Sequence, residues 1–469
     1  MCRAPNRQTT EPVPRLTVPQ ILSPHPNRQT CVFARCSRSR RLRRLPLLPL
    51  GNVPHISFSF IFKFPWSLWN QYPVEPGLYI TTSASANTDT LKMASPQKIR
   101  TPITDLLKIN HPVLLAGMNV AAGPKLAAAV TNAGGMGVIG GVGYTPEMLK
   151  DQIDELKSYL TDKSAPFGVD LLLPQVGGNA RKTNYDYTKG KLDQLVDIVI
   201  ESGAKLFVSA VGVPPKHVVE RLHKNGILYM NMIGHPKHVK KCLDLGVDII
   251  CAQGGEGGGH TGDVATTILI PAVVEAVRGH KSPLTGQPVQ VIAAGGIHNG
   301  NLLAASLMMG ASAVWVGTRF ILAEEAGAPE AHKEAVRTAS FDDTIRTLIF
   351  TGRPLRVRKN PYIVNWETQR QDEIRELTAK GVLPYEKDLD SVMNGDMKEP
   401  PKGLDVGGAT VEDVDVDELM DQFRPFLMGQ CAAVCNEKKS AKEIVDEFVT
   451  DAAASLQRGS QLVKVSSKL

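Results

Sequence analysis

The feature that most constrains the fold is a regular alternation within residues 112–326, where short apolar runs alternate with amphipathic stretches. This pattern is typical of β-strands that alternate with α-helices around a parallel sheet. The apolar runs predict eight strands, at residues 113–116, 137–140, 168–173, 206–210, 228–232, 247–251, 289–293 and 313–316. Helical patterns lie between them, at residues 124–132, 146–159, 192–201, 215–223, 236–245, 266–277 and 301–309, and a last helix begins near Arg319.

Eight such units favour an α/β fold of the (β/α)8 TIM-barrel type over an open doubly wound sheet. We therefore predict a barrel over residues 100–330, followed by a mostly helical region over residues 331–460 on the substrate side. The clearest helices of that region are predicted at residues 367–377 and 440–456, with a loop at 384–410 and an acidic run at 411–421. Tyr362 and Trp366 are expected to line the mouth of the barrel, to pack a lid or to pack in a core.

A glycine-rich segment follows the sixth predicted strand. Residues 254–263 read G-G-E-G-G-G-H-T-G-D, with a single histidine, His260. Glycine adopts positive φ and lets the backbone approach a ligand closely, so the segment predicts a cofactor loop, with a flexible surface loop as the alternative. An imidazole titrates near neutral pH, so His260 is a candidate catalytic residue, either as an imidazolium that holds an anion or as a base that takes a proton from carbon.

Two further glycine sites follow the last two predicted strands. They are Gly295 and Gly296 in A-A-G-G-I, and Gly317 and Thr318 in V-G-T-R-F. The loops after strands seven and eight form the usual phosphate site of a TIM barrel, although glycines in such places also make simple tight turns. The chain has no G-x-G-x-x-G after the first strand and no Walker sequence, so we predict a mononucleotide cofactor rather than a dinucleotide.

Residues 1–92 differ from the rest in their abundance of Pro, Arg and Ser. Residues 1–98 carry a surplus of ten positive charges, which leaves a net charge of −4 on the rest of a chain whose total is +6. That balance argues against a nucleic-acid partner. Pro46, Pro49 and Pro54 disfavour both a mitochondrial presequence and stable membrane insertion. We expect a disordered extension here, and a start of translation in the cell at Met93.

Cysteine usage and a terminal tripeptide bear on the compartment. Seven cysteines form neither paired C-x-x-C motifs nor the dense pattern of a secreted disulfide scaffold, which favours a reducing compartment and no metal site. Ser467, Lys468 and Leu469 form S-K-L, an address that the peroxisomal import receptor reads at a C-terminus. We expect a peroxisomal protein, with cytoplasmic and mitochondrial locations as alternatives; the sequence leaves the oligomeric state open.

Taken together, these motifs resemble the nitronate monooxygenase family, formerly called 2-nitropropane dioxygenases, and most of all its fungal members. The resemblance covers roughly residues 100–460. It is carried by P-V-L-L-A-G-M at 112–118, F-G-V-D at 167–170, G-G-E-G-G-G-H-T-G at 254–262, A-G-G-I at 294–297 and G-T-R-F at 317–320. The order of these motifs is specific in combination, whereas only the histidine motif is specific when taken singly.

The resemblance implies an FMN site and a catalytic His260. Ala116, Gly117 and Met118 would lie beside the ring, Gln253 near its polar edge, and the two late glycine sites at the phosphate. At Asp170 similar proteins commonly carry Asn, and a carboxylate that faces the flavin would alter its hydrogen bonds. The implied cofactor-binding residues are Ala116, Gly117, Met118, Asp170, Gln253, Gly258, Gly295, Gly296, Gly317 and Thr318.

The reaction implied by the resemblance is the oxidation of alkyl nitronates, such as propionate 3-nitronate, with O2 to a carbonyl compound and nitrite. Related barrels share the histidine and phosphate motifs, so a flavin-dependent NAD(P)H quinone or enoyl-thioester reductase is the alternative enzyme. A non-catalytic flavin-binding module is the third hypothesis. Fold analogy alone does not choose among them, because this barrel hosts many chemistries.

Overall fold

The computed structural model describes residues 95–394, 402–403 and 423–464. Residues 1–92, the proposed start at Met93, the acidic run 411–421 and residues 467–469 lie outside the described residues. The expectations stated above for these segments therefore stay predictions.

Eight parallel strands form the barrel. In the sheet order β1-β9-β8-β6-β5-β4-β3-β2 each strand pairs with its neighbours, and a parallel bridge between Leu114 and Met136 joins the two ends of the sheet. The predicted TIM barrel is confirmed, with every predicted strand found within two residues at either end. The strands, with a short β7 that lies outside the barrel, are β1 (Val113–Leu115), β2 (Gly137–Gly140), β3 (Phe167–Leu172), β4 (Leu206–Ala210), β5 (Leu228–Ile233), β6 (Ile249–Gln253), β7 (Gly259–His260), β8 (Gln290–Ala294) and β9 (Ala313–Val316).

Helices cover the outside of the barrel. Pro124 and Pro146 each occupy a first helical position, where the missing N–H leaves no hydrogen bond unmade. Pro236 opens a short 3₁₀ turn, Pro236–His238, so the helix predicted at 236–245 is α-helical only in its second part. The helices are α1 (Pro102–Leu107), α2 (Pro124–Asn132), α3 (Pro146–Tyr159), α4 (Leu192–Glu201), α5 (Lys216–Lys224), α6 (Val239–Asp244), α7 (Thr266–Val277), α8 (Gly300–Met308) and α9 (Thr318–Ile321).

The core of the barrel has two layers, which follow from the alternation of side chains along each strand. On β4, Leu206 and Val208 point into the barrel, whereas Phe207 points outward against the helices. The helix α1 adds Ile103 and Leu107 to the inner cluster. Because α1 directly precedes β1, it covers the N-terminal end of the barrel, and the C-terminal end is left for a site.

The region after the barrel combines helices with a β-hairpin that the sequence analysis did not predict. Two antiparallel strands form the hairpin, and β7 pairs with the second of them to make a three-stranded sheet. Among the described residues this region contains α10 (Glu330–Arg337), β10 (Thr344–Thr347), β11 (Leu355–Arg358), α11 (Pro361–Gln369), α12 (Gln371–Lys380), α13 (Pro384–Met393) and α14 (Ala441–Gln461).

Two predictions in this region were wrong in part. The helix predicted at residues 367–377 is interrupted at Arg370, whose φ of −123° is not helical. The break lets the Arg370 guanidinium stack on the ring of Trp366 at 3.2 Å and pair with Asp388. The loop predicted from residue 384 begins instead with α13, because Asp388 and Val392 face inward on one side of a helix. Tyr362 and Trp366 are core residues rather than lining of the mouth.

The final helix, α14, packs against the barrel and confirms the helix predicted at 440–456. It starts at a capping box, in which Ser440 and Glu443 satisfy each other's backbone N–H groups. A Cβ on Gly300 would lie 2.4 Å from the carbonyl oxygen of Phe448, so the glycine allows α8 and α14 to approach closely. Within the described residues, no helix combines the length and the apolar character that crossing a bilayer requires.

Candidate active site

The residues predicted to bind a cofactor or to act in catalysis meet in one cavity. It opens at the C-terminal ends of the barrel strands and has a volume of about 1710 Å³. Loops that follow parallel strands gather at this end of a barrel, so residues far apart in sequence become neighbours. All eleven predicted residues line the cavity: Ala116, Gly117, Met118, Asp170, Gln253, Gly258, His260, Gly295, Gly296, Gly317 and Thr318.

Two glycines in the cavity wall lie so close to other wall atoms that no larger residue fits there. A Cβ on Gly117 would lie 2.4 Å from Oδ2 of Asp170. Gly295 has a φ of 94°, in the left-handed region, and a Cβ there would lie 2.8 Å from the carbonyl oxygen of Gly254. Gly295 also needs the left-handed backbone that glycine adopts readily. The two glycines therefore allow the cavity wall to pack closely, residue 117 against Asp170 and residue 295 against Gly254.

The glycine-rich segment 254–263 is tied down by hydrogen bonds on both sides. Glu256 accepts bonds from the backbone N–H and the hydroxyl of Thr266, at 3.0 and 2.8 Å. Arg356 on β11 donates from Nε and Nη2 to the carbonyl oxygen of Gly255, at 3.1 and 2.9 Å. Gln253 donates from Nε2 to the carbonyl oxygen of His260 at 2.9 Å. These bonds argue against a flexible surface loop, and they commit the amide nitrogen of Gln253 to the loop backbone.

His260 is half-buried, and its surroundings disfavour the positively charged imidazolium. Burial and the positive charge of Arg353 lower the pKa of His260 to about 4. Its Nε2 lies 3.1 Å from the hydroxyl oxygen of Thr351, which also lies 3.3 Å from the carbonyl oxygen of Arg353. The single hydroxyl proton of Thr351 serves only one of these two acceptors, and the tautomer of His260 follows from which one it serves. Of the two roles considered for His260, the geometry favours the neutral imidazole.

Asp170 is the second titratable group in the wall, and its surroundings are unusual for a carboxylate. Its side chain is 3% exposed, and Oδ1 has no hydrogen-bond partner among the described residues. Burial raises the pKa of Asp170 to about 8, because no charge or donor compensates for the loss of water. The neutral acid that results carries both a donor and an acceptor, and it directly faces Gly117. A buried polar group left without a partner suits a ligand that supplies one.

Sequence analysis missed a group of cavity residues outside the barrel strands. Arg181, Tyr185 and Tyr187 come from the long loop after β3, and Thr351 and Arg353 come from the turn of the β10–β11 hairpin. The sequence contains only weak indications that these residues line the cavity. The run R-P-L-R-V-R-K at 353–359 is visibly basic, yet its approach to His260 depends on β11 pairing with β7, a contact between residues almost a hundred positions apart.

Comparisons with known proteins identify the family and support the fold. A family model described as nitronate monooxygenase matches residues 100–451. The chain is 32% identical to (3aS,4S,5R,7aS)-5-hydroxy-7a-methyl-1-oxo-octahydro-1H-indene-4-carboxyl-CoA dehydrogenase of Mycobacterium tuberculosis, over 78% of this chain and 100% of that protein. It is 30% identical to a probable nitronate monooxygenase of Staphylococcus saprophyticus, over 57% of this chain and 80% of that protein. The structure of FabK from Thermotoga maritima has a TM-score of 0.59 at 28% identity, covering 78% of this chain and 100% of that one.

Proposed function

The chain belongs to the nitronate monooxygenase family, whose members are flavin-dependent oxidoreductases, and we propose that it oxidises alkyl nitronates with O2 to a carbonyl compound and nitrite. The observation that carries this proposal is a cation, Arg353, beside His260 at the wall of a cavity with a glycine-lined cradle. A nitronate is an anion, and a cation with fixed hydrogen-bond donors stabilises it in a site that excludes water.

We propose FMN as the flavin, because the glycine sites after β8 and β9 offer a single phosphate position. Residues 116–118 and Asp170 would hold the ring, and Gly295, Gly296, Gly317 and Thr318 the phosphate. Gln253 and Gly258 would contribute through the shape of the loop, since Gln253 is bonded to the loop backbone. The bound flavin supplies the electron acceptor and the reaction with O2. Asp170, as a neutral acid, offers the ring a hydrogen-bond donor.

His260 acts on the substrate as a neutral imidazole whose Nε2 is hydrogen-bonded to Thr351. A nitronate arrives with its carbon already deprotonated, so it needs no base. A neutral nitroalkane must first lose a proton from the carbon beside the nitro group, and neutral His260 is suited to take it. The proposal therefore places nitronates first among substrates and gives nitroalkanes a route through His260.

The test compares two assays on one purified sample. The proposal predicts oxygen consumption and nitrite release with alkyl nitronates, and slow or no oxidation of NADH without oxygen. His260→Asn should retain bound flavin and lower turnover of a neutral nitroalkane by about two orders of magnitude. His332→Asn, at a second histidine that lines the same cavity, should change turnover little. Unchanged turnover in His260→Asn would remove His260 from the mechanism.

A second candidate is an oxidoreductase that acts on a CoA thioester. The Mycobacterium tuberculosis relative named as a carboxyl-CoA dehydrogenase matches over its full length. The cavity is roomy, and Lys237 and Lys241 at its edge pair with no carboxylate among the described residues, which suits the phosphates of CoA. Oxidation of NADH by an enoyl-CoA without oxygen, with reduction of its C=C bond to give the saturated acyl-CoA, in a sample inactive on nitronates, would favour this candidate. A yellow protein that turns over neither substrate would support the non-catalytic module.

We further propose import into peroxisomes through residues 467–469. A fluorescent protein fused to the N-terminus should give punctate signal in cells, and deletion of Leu469 should make it diffuse. A diffuse signal from both fusions would contradict the proposal.

A further inference from the structure

Two cysteines lie close together in the short segment that precedes the final helix. The segment forms a 3₁₀ turn, Gln430–Val434, which contains Cys431 and ends at Cys435. Both thiols are free. The two side chains are hydrogen-bonded to each other, so their sulfur atoms are near enough for a reaction that joins them.

The two thiols differ in their access to solutes. Cys431 is partly exposed and lines the cavity at the C-terminal end of the barrel. Cys435 is 1% exposed and packs in an apolar cluster with Leu322, Val336 and Met428. A small solute that enters the cavity therefore meets Cys431, while the apolar cluster shields Cys435.

The hydrogen bond between the thiols distributes their protons unequally. The bond donated by Cys435 lowers the pKa of the Cys431 thiol, while burial acts in the other direction and the hydroxyl of Thr318 adds to the lowering. The same bond and burial raise the pKa of Cys435. Because the thiolate is the nucleophilic form of cysteine, the accessible thiol is the reactive one and the shielded thiol keeps its proton.

Two further cysteines in the described part of the chain have different surroundings. Cys242 on α6 and Cys251 on β6 are both fully buried. Burial raises the pKa of Cys242 to about 12 and holds the pKa of Cys251 well above its usual value. A buried thiol of this kind is inert. Cys251 therefore provides an internal reference for the reactivity of the pair.

The segment that carries the pair packs against one wall of the cavity. The backbone N–H of Gly429 donates to the hydroxyl of Thr318 at 2.9 Å. A Cβ on Gly258 would lie 2.6 Å from the nitrogen of Gly429, so the segment is in close contact with the glycine-rich loop. A displacement of Cys431 would therefore be transmitted to Thr318 and to this loop.

We propose that Cys431 and Cys435 form a peroxide-sensitive dithiol, in which hydrogen peroxide oxidises Cys431 and Cys435 then closes a disulfide. The Cys431 sulfur attacks one oxygen of the peroxide, the O–O bond breaks, and the departing hydroxide leaves as water with the proton of the Cys431 thiol. The Cys435 sulfur attacks the resulting sulfenic acid, the S–O bond breaks, and the hydroxide leaves as a second water with the proton of Cys435. The two thiols lose two electrons, and the peroxide gains them.

The disulfide changes the wall of the cavity. A sulfur–sulfur bond is shorter than the hydrogen bond that it replaces, so Cys431 is drawn towards Cys435 and loses the thiol that contacts Thr318. Oxidation should therefore weaken the binding of FMN, an effect that rests on the proposed function because Thr318 belongs to the proposed phosphate site. The formation of the disulfide does not depend on that assignment.

The first test follows the thiols of the flavin-loaded, full-length protein by mass spectrometry. After treatment with hydrogen peroxide, the peptide that contains both cysteines should lack two hydrogens and take up no alkylating reagent, and dithiothreitol should reverse both changes. The pair should be oxidised at least about tenfold faster than Cys251 in the same sample. Equal rates at the pair and at Cys251, or oxidation without a disulfide, would overturn the proposal.

Two variants separate the steps. Cys435→Ser keeps a hydroxyl beside Cys431 and removes the second thiol, so peroxide should stop at a sulfenic acid that dimedone traps. In Cys431→Ser, Cys435 should stay reduced, because it is shielded from the cavity. Oxidation of Cys435 in this variant at the wild-type rate would contradict the assigned order of attack. If either variant fails to fold, the measurement on wild type still decides whether the disulfide forms.

Flavin affinity tests the consequence separately. Oxidised wild type should bind FMN about three- to tenfold more weakly than reduced wild type, whereas peroxide should not alter the affinity of Cys431→Ser. A disulfide that leaves FMN affinity unchanged would overturn the link to the cavity. A protein that binds no FMN would contradict the proposed function, and the mass measurement would still support or overturn the dithiol.

Discussion

Two buried aspartates of this molecule have opposite surroundings. Oδ2 of Asp388, on α13, accepts hydrogen bonds from Tyr362, Trp366 and Arg370 at 3.1, 3.1 and 3.2 Å. Asp170, on β3, is equally inaccessible, yet its Oδ1 has no partner in the described part of the chain. A buried charge is tolerated when it is paired and hydrogen-bonded, and a buried group that lacks partners must give up its charge.

The difference in hydrogen-bond partners indicates a structural role for Asp388 and a ligand-binding role for Asp170. Asp388 lies in the core of the region after the barrel, where its bonds hold three elements together. Asp170 lies in the wall of the cavity, where packing alone has no use for its hydrogen-bonding capacity. We therefore interpret the first as an internal ion-pair centre and the second as a group left available for a ligand.

The largest effect is expected from removing the partnered carboxylate. Asp388→Ala should lower the free energy of unfolding of the full chain by about 3–5 kcal/mol, because Arg370 and two aromatic donors lose their buried acceptor. Chemical denaturation followed by fluorescence measures the loss. Asp390→Ala, on the exposed side of the same helix, should stay within about 0.5 kcal/mol of wild type. Equal losses at the two positions would contradict the assignment of Asp388.

Asp170→Asn should act in the opposite direction. The folded-state pKa of Asp170 is raised from 3.8 to about 8, so its contribution to stability is highest below pH 4 and is lost as the pH rises towards 8. Asparagine carries no such dependence. The flavin-free variant should therefore be more stable than wild type by roughly 1–3 kcal/mol at pH 7, with a smaller difference at pH 5. A variant less stable than wild type at pH 7 would mean that Asp170 has an unseen stabilising role.

A smaller effect is expected from filling the space that Asp170 faces. In Gly117→Ala, the new methyl carbon would lie 2.4 Å from Oδ2 of Asp170. Overpacking of this kind should weaken flavin binding by about tenfold, measured by fluorescence as flavin is released on dilution. Gly459→Ala is the control, because a Cβ there meets no atom within 4 Å. Unchanged affinity in Gly117→Ala would place the flavin away from residues 116–118.

The smallest effect is expected at His260, a third buried titratable group. Its titration should leave kcat/KM unchanged between pH 5 and pH 8. The pKa of His260 is lowered to about 4, so the imidazole is already neutral at pH 5. The plot of kcat/KM for a neutral nitroalkane against pH should therefore show no inflection near pH 6.5 that can be assigned to His260. Wild type and His260→Asn should have the same profile shape in that range. An inflection of that kind, measured as kcat/KM against pH, would show that His260 titrates as if exposed and would restore the imidazolium role.

The parts of the site that sequence predicted lie within a barrel strand or in the loop that comes after one. Gly295 and Gly317 come immediately after β8 and β9, and Asp170 lies within β3 itself. Strand order in a barrel determines which loops meet, so the positions of these residues follow once the strands are recognised. Arg181 and Arg353 were missed because they lie well beyond a strand end, in a long loop and in a hairpin whose direction local sequence does not specify.

Local sequence is enough to predict the barrel, the cavity-lining glycines and the single histidine in the loop after β6, because hydrophobic periodicity and backbone freedom are local properties. The protonation of that histidine, the isolation of Asp170 and the assembly of two unpaired arginines in the same cavity wall arise only when the chain is folded. These depend on burial and on charges brought together by distant segments. The electrostatic free energy of a group is set by its surroundings in space rather than by its neighbours along the chain.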